Sequence, residues 1–281
     1  MTNTRDRSAL GARTITDFGE QWTQFQGNEG FYGSSTLFED IVGPLLSPAD
    51  FRGRHVAEIG SGTGRIVHML IGAGARHVVA IEPSQAFHVL RGNVARHGDA
   101  VECVRTTGEH IPANRGFDLV LSIGVLHHIP DPGPVVRAAH RALRPGGRML
   151  VWLYGRERNR LYLMLVRPLR SVTRRLRPAS VVLFSETINR LLKPYIWLCR
   201  RLALPLHEYF ITVFDKMSDD ARTLIIYDQL RPAYAKYYTR AEAITLLESS
   251  GFERIQIHHR HGYSWTVMGT KPVPERNDGR L

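Results

Sequence analysis

His55-Val56-Ala57-Glu58-Ile59-Gly60-Ser61-Gly62-Thr63-Gly64 reads as a short apolar strand running into a glycine-rich turn. Apolar residues then recur at helical spacing, at Ile66, Val67, Leu70 and Ile71. Glycine lets the backbone take positive φ and lets a ligand approach without meeting a Cβ. The helix that follows offers unpaired N–H groups and the positive end of its dipole. Strand, turn and helix together predict a cradle for a nucleotide-like ligand beyond the strand's carboxyl end. The dinucleotide fingerprint is G-x-G-x-x-G, and Arg65 stands where its third glycine belongs. That substitution disfavours a nicotinamide oxidoreductase.

Outward from this stretch the same rhythm repeats. Strands are expected at 55–59, 77–81, 101–106, 117–122 and 148–154, with helices at about 64–73, 84–96 and 134–143 between them. Nearly all-apolar strands alternating with helices predict a parallel α/β sheet covered on both faces, doubly wound with right-handed crossovers. A helix over 239–250 has Thr239 as cap and Glu242 three residues on, and it stops at Gly251. Strands at 252–258 and 264–269 then predict a closing antiparallel hairpin. The chain divides into a tail and cap helix (1–50), a Rossmann-like core (51–154), a helical insert (155–226), a helix and hairpin that complete the sheet (227–270), and a tail (271–281). Residues 1–14 read as loose. Ser34 or Ser35 caps a helix carrying Leu37, Ile41 and Leu45, ended near Gly43-Pro44.

At 281 residues and 43% hydrophobic composition the chain can bury a substantial core, which excludes disorder outside its ends. Cys103 and Cys199 form no C-x-x-C pair, which fits a reducing compartment and argues against a zinc or disulfide framework. Residues 1–15 lack the apolar region of a signal peptide, and no uncharged apolar run suits a spanning helix. A cytoplasmic location is expected.

The net charge of +11 is concentrated: residues 156–201 hold twelve basic side chains against two acids. Within the insert, Leu161, Leu165, Leu169, Val172 and Leu176 share one helical face, and Arg160, Arg167, Arg170, Arg174 and Arg177 fall roughly opposite. Pro168 and Pro194 predict kinks or breaks. Following strand 5, these helices should lie over the ligand crevice as a lid. Their charge suits a solvated lid face, peripheral contact with an anionic membrane, or an acidic substrate. A nucleic-acid partner is not expected, because the arginines lack interleaved stacking aromatics and no RNA-binding module is present.

Taken together, Glu58 to Gly64, Val78 to Ser84, Phe117 to Ile129 and Leu143 to Gly147 resemble successive motifs of the class I S-adenosylmethionine-dependent methyltransferases, over roughly residues 53–154. The resemblance implies a seven-stranded sheet whose last strand is antiparallel. It implies S-adenosyl-L-methionine as cofactor and S-adenosyl-L-homocysteine as product. Glu58, Gly60, Ser61 and Gly62 would meet the cofactor, and Glu82, followed by Pro83, would accept the ribose hydroxyls. Relatives carry an acid or amide near adenine where Thr107 stands here, so Gly108 and Glu109 are the substitutes. The Ser122 carbonyl would face the methionine end. Ubiquinone-pathway O-methyltransferases are similar but hold a metal with two glutamates and a histidine. Gly124 and His127 occupy the glutamate positions here, so no metal is expected.

For the acceptor, His127 lies just past strand 4 and is a candidate general base, with His128 beside it. If the last strand runs beside strand 5, the hairpin turn brings His259, Arg260, His261 and Tyr263 to the crevice. His261 is then a second acid–base candidate, and Arg260 and Tyr263 are substrate contacts. Trp22 and Tyr32 belong to an aromatic lead-in that could close over a ligand. Tyr227, with Asp228, Gln229, Tyr237 and Tyr238, is a further pocket candidate. The reading is methyl transfer to a small, partly apolar molecule bearing a hydroxyl or amine. The alternative is a non-catalytic protein of this fold that uses its basic insert for a partner or a membrane.

Overall fold

The computed structural model describes residues 4–274. Five strands, β1 (His55–Ile59), β2 (His77–Ile81), β3 (Val101–Val104), β4 (Phe117–Ile123) and β5 (Leu143–Tyr154), pair in parallel in the order β3-β2-β1-β4-β5. β7 (Ser264–Thr270) joins β5 antiparallel, and β6 (Glu253–Arg260) pairs with β7 at the edge. The sheet therefore has seven strands with the last in sequence reversed.

Alternation along β1 sends Val56 to one face and Ala57 and Ile59 to the other. Val56 packs with Ile66, Val67 and Leu70 of α3 (Arg65–Gly72) and Leu90 of α4 (Phe87–Val94). Ala57 and Ile59 pack with Val135 and Ala139 of α5 (Gly133–Ala142) and Leu247 of α10 (Arg240–Glu248). α10 begins in a capping box: the Glu242 amide donates to Thr239 Oγ1 at 3.2 Å, and the Thr239 amide donates to Glu242 Oε2 at 2.9 Å. The order of the strands reverses between β1 and β4, which is where an open α/β sheet leaves a crevice beyond its strand ends.

The N-terminus departs from expectation. Instead of a loose tail, the described residues open with α1 (Thr4–Gln24), ahead of α2 (Ser35–Val42). Gly11, Ile15, Phe18 and Trp22 recur at spacings of four, three and four, forming a stripe turned to the crevice. The polar residues around them are buried for a different reason. Asp17 accepts the Ala233 amide (3.1 Å) and Gln21 donates to Asp228 (3.1 Å), so they tie α1 to a distant part of the chain.

The insert forms α6 (Arg160–Thr173), α7 (Pro178–Cys199), the short α8 (His207–Thr212) and α9 (Asp219–Leu230). α9 runs through the border expected at residue 226. α6 and α7 each run on as one helix through Pro168 and Pro194, where kinks or breaks were expected, so the chain is not broken there. Both prolines are solvent-exposed, so the carbonyl each deprives of an N–H partner can be hydrated. The leucine and arginine faces of α6 do not sort into buried and exposed. Arg170 is buried, with Nε donating to Gln229 O (2.7 Å), while Leu161 and Leu165 are exposed. The C-terminal end of α9 explains this. Its last carbonyls lack helical partners and carry the negative dipole end. Arg170 satisfies Gln229 O, and Thr173 Oγ1 satisfies Leu230 O at 2.7 Å. Of the expected C-terminal tail, 271–274 form neither helix nor strand and 275–281 lie outside the described residues.

Candidate active site

One cavity of about 1350 Å³ runs from the glycine turn to the underside of the insert. Its floor is the glycine turn. Gly60 has φ +78°, and a Cβ there would lie 2.4 Å from Val125 Cγ2. At Gly62 (φ +51°) a Cβ would lie 3.1 Å from the indole nitrogen of Trp22, so α1 sits directly on the turn. Glu82 is held by two amides: Gly62 N–H donates to Oε2 and Ser84 N–H to Oε1, each at 2.9 Å. A carboxylate has about four acceptor positions, so capacity remains for ligand hydroxyls. Gly108 leaves a flat apolar slot; a Cβ there would strike Ile59 and Val135 at 2.6 and 2.7 Å. A glycine floor, a fixed carboxylate and an apolar slot fit the adenosine of S-adenosylmethionine.

The residues expected at the cofactor divide into two groups. Gly60, Glu82, Pro83, Gly108 and Glu109 line the cavity, as does Thr107. Glu58, Ser61, Gly62 and Ser122 stand behind that wall. Glu58 is buried beneath the turn, and burial, with Glu82 nearby, pushes its carboxyl up to about 8. Above the ordinary carboxylate value the unfolded chain has released this proton while the folded chain keeps it. Stability from this group therefore falls as pH rises toward 8, by up to about 1.4 kcal/mol per pH unit. Glu58→Gln removes that dependence. Thermal melts of the variant should lose less stability than wild type between about pH 5 and pH 8, and parallel curves would contradict the assignment.

At the far end the acceptor candidates also separate. His127 is fully buried and does not line the cavity; neither ring nitrogen has a hydrogen-bond partner, and its ring lies 3.8 Å from that of Tyr154. Burial, with His128 beside it, holds its pKa well below the usual value. Its neighbour His128 does line the cavity. His128 Nδ1 lies 2.8 Å from Tyr234 O, and a carbonyl only accepts, so Nδ1 carries the proton and Nε2 keeps a lone pair. Nε2 has no partner in the protein.

Trp22, Tyr32, Arg260 and Tyr263 line the cavity, whereas Tyr227 is turned away and packs against Phe25. His261 is likewise outside, paired through Nε2 with Asp40 Oδ1 at 2.7 Å. The turn that carries it puts His261 and Gly262 at φ +45° and +70°, the left-handed pair that tight hairpins prefer. Sequence reading missed Tyr154, whose hydroxyl donates to Asp228 Oδ2 at 2.6 Å and accepts from Gln229 Nε2 at 2.6 Å. The signal available was its place at the carboxyl end of β5, where strand ends face the crevice. Among the described residues no three His, Cys, Asp or Glu side chains converge to hold a metal ion.

Residues 57–151 match the family model described as a methyltransferase domain. Over 113 residues the chain is 34% identical to a tRNA U34 carboxymethyltransferase of Hahella chejuensis, covering 39% of this chain and 34% of that protein. Over 106 residues it is 33% identical to a ubiquinone biosynthesis O-methyltransferase of Pseudomonas aeruginosa, covering 37% and 45%. The chain thus spans between a third and a half of these curated relatives. In fold it is similar to the Burkholderia thailandensis 1,6-didemethyltoxoflavin-N1-methyltransferase solved with 1,6-didemethyltoxoflavin and S-adenosylhomocysteine (TM-score 0.53, 15% identity, covering 97% of this chain and 92% of that one). The matched domain ends before the insert, so the cavity wall that the insert supplies falls outside it.

Proposed function

We propose, from the premise that residues 57–151 are a class I S-adenosylmethionine-dependent methyltransferase domain, that the chain methylates a small, partly apolar acceptor bearing a hydroxyl or amine. The observation that carries this reading is the shape of the cavity. Pockets for a single drug-sized ligand have volumes of about 300–1,000 Å³. The volume here is larger, and the glycine–Glu82 end continues into a chamber walled by Leu169, Leu192, Phe210 and Leu224. That suits a cofactor and an apolar acceptor end to end.

S-adenosylmethionine supplies, when bound, a methyl group made electrophilic by the neighbouring sulfonium. The chain's residues then have three tasks. Glu82 holds the ribose, fixing where the cofactor's reactive end lies. α1 and the insert cover the chamber and exclude water. His128 Nε2 takes the proton that the acceptor's hydroxyl or amine must lose. Tyr154, itself held by Gln229, donates to Asp228 and leaves these side chains placed to orient the acceptor.

Glu82→Ala should weaken S-adenosylhomocysteine binding by about 1–3 kcal/mol, measured by calorimetry, because it removes a charged acceptor and strands the amides of Gly62 and Ser84. Unchanged affinity would refute the ribose role. The function itself is tested by thermal shift and turnover. S-adenosylmethionine should raise the melting temperature and NAD should not. Release of S-adenosylhomocysteine should require an apolar phenol, quinol or amine from a panel of acceptors. Turnover on unmodified tRNA, with none on the panel, would replace the small acceptor by a nucleic acid. Cofactor binding without any turnover would favour a non-catalytic role.

A further inference from the structure

We infer that the insert rests on an anionic lipid surface, with α6 and α7 lying in the headgroup layer and the chamber mouth turned toward the acyl chains. Both helices pack against α9 and leave an apolar stripe uncovered. On α6, Leu161, Met164 and Leu165 are 56%, 72% and 66% exposed, at helical spacing, and Val172 continues the row. On α7, Leu183, Leu191 and Trp197 are 64%, 72% and 52% exposed. Isolated exposed leucines are ordinary, but stripes on successive helices mark an interaction surface. No helix of the described residues is long and apolar enough to cross a membrane, so the contact is along the surface.

Charge identifies the occupant. Of the twelve basic residues between 156 and 201, only Arg170 is buried. Among the described residues, only Lys193 and Arg200 of the others pair with carboxylates, Asp219 and Asp215. Arg156, Arg158, Arg160 and Arg167 line one pocket of about 700 Å³ together with Met164, Pro168 and Glu157. Arg158 also lines the main cavity, as do the exposed Leu161 and Leu165. Cations, exposed aliphatic side chains and the chamber mouth therefore meet at one place. Basic residues beside an apolar helix face are the features that hold a helix in an anionic interface. Single-stranded nucleic acid would instead want exposed aromatic platforms between the cations. The exposed aromatics of α7 are Phe184 and Trp197, thirteen residues apart, and Arg201 already lies over the Trp197 ring at 3.9 Å. An apolar acceptor could pass from lipid into the chamber without crossing water. That last point rests on the proposed function, whereas the docking itself is measured without turnover.

The test is sedimentation of the full chain with vesicles of phosphatidylcholine alone or mixed with phosphatidylglycerol. Partitioning should be at least about tenfold stronger on the mixed vesicles and should fall as salt rises. Leu183→Glu combined with Leu191→Glu, neither in the cavity wall, should lower it about tenfold. The same variant should keep its stabilisation by S-adenosylhomocysteine, which also reports that it folds. In the wild type, brominated lipid should quench tryptophan fluorescence, and Trp197→Phe should abolish that component. Equal partitioning on both vesicles, no effect of the double variant, or no quenching would overturn the inference. So would a stable dimer dispersed by the double variant, or RNA that binds this segment when vesicles do not.

Discussion

Replacing His128 with alanine is expected to cut turnover by about 10²–10⁴-fold and to leave cofactor affinity unchanged. The argument begins with the tautomer. The Tyr234 carbonyl fixes the proton on Nδ1, so Nε2 keeps its lone pair, buried in the chamber wall and without a partner in the protein. Burial drives the pKa below the ordinary histidine value, with Asp228 pulling the other way, so the ring is neutral at pH 7 and competent as a base. The Phe18 ring, 4.7 Å away, screens it from water on one side. A base must be unprotonated to act. Activity should therefore fall only as pH drops through this lowered pKa, giving an acidic limb below that of a solvent-exposed histidine. His128→Gln should lose both rate and limb. His127→Ala removes a fully buried ring and should lower stability while keeping the limb. Full turnover by His128→Ala would eliminate it as base and point to Asp228, the cavity carboxylate bonded to Tyr154.

The contrast between the two histidines shows where sequence stops being informative. β1 and β2 were legible to the residue, because each is an apolar run bounded by turn-forming or charged residues. The glycine turn and Glu82 were legible because one local segment specifies each. His127 and His128 are adjacent in sequence, and only the trajectory of the turn after β4 decides which faces the chamber. The orientation of α6 was hidden for the same kind of reason. Helical periodicity gives two faces, but which one is buried depends on the carbonyls at the end of α9, some sixty residues away. Tyr154 bonds to Asp228 across a comparable gap. Local pattern encodes elements; the polar contacts that finish the site join elements that no local pattern relates.

Asp40→Ala is expected to destabilise the fold by about 3–5 kcal/mol, more than Arg260→Met at the other end of the same ion pair. The asymmetry follows from burial. The Arg260 side chain is 2% exposed and that of Asp40 29%. The guanidinium donates to the Asp40 carboxylate, to Asp40 O at 3.1 Å and to the Tyr263 hydroxyl. Removing Asp40 strands a desolvated cation with one carbonyl and a phenol. Removing Arg260 leaves a carboxylate that still has His261 and partial access to water. Burial acts against the Asp40 carboxylate, but the bond with His261 and the Arg260 charge together hold it below the usual carboxylate range. A lowered carboxylate contributes stability that is present above its unfolded value and lost as pH falls through the folded one. The wild type should therefore lose stability in acid faster than Asp40→Ala does. Because the pair joins α2 to the end of β6 and orients Tyr263 in the chamber wall, the variant should also bind acceptor more weakly. Urea unfolding at neutral and acidic pH measures the difference. Equal losses for the two single variants would mean that the pair behaves as a surface bridge and does not anchor the hairpin.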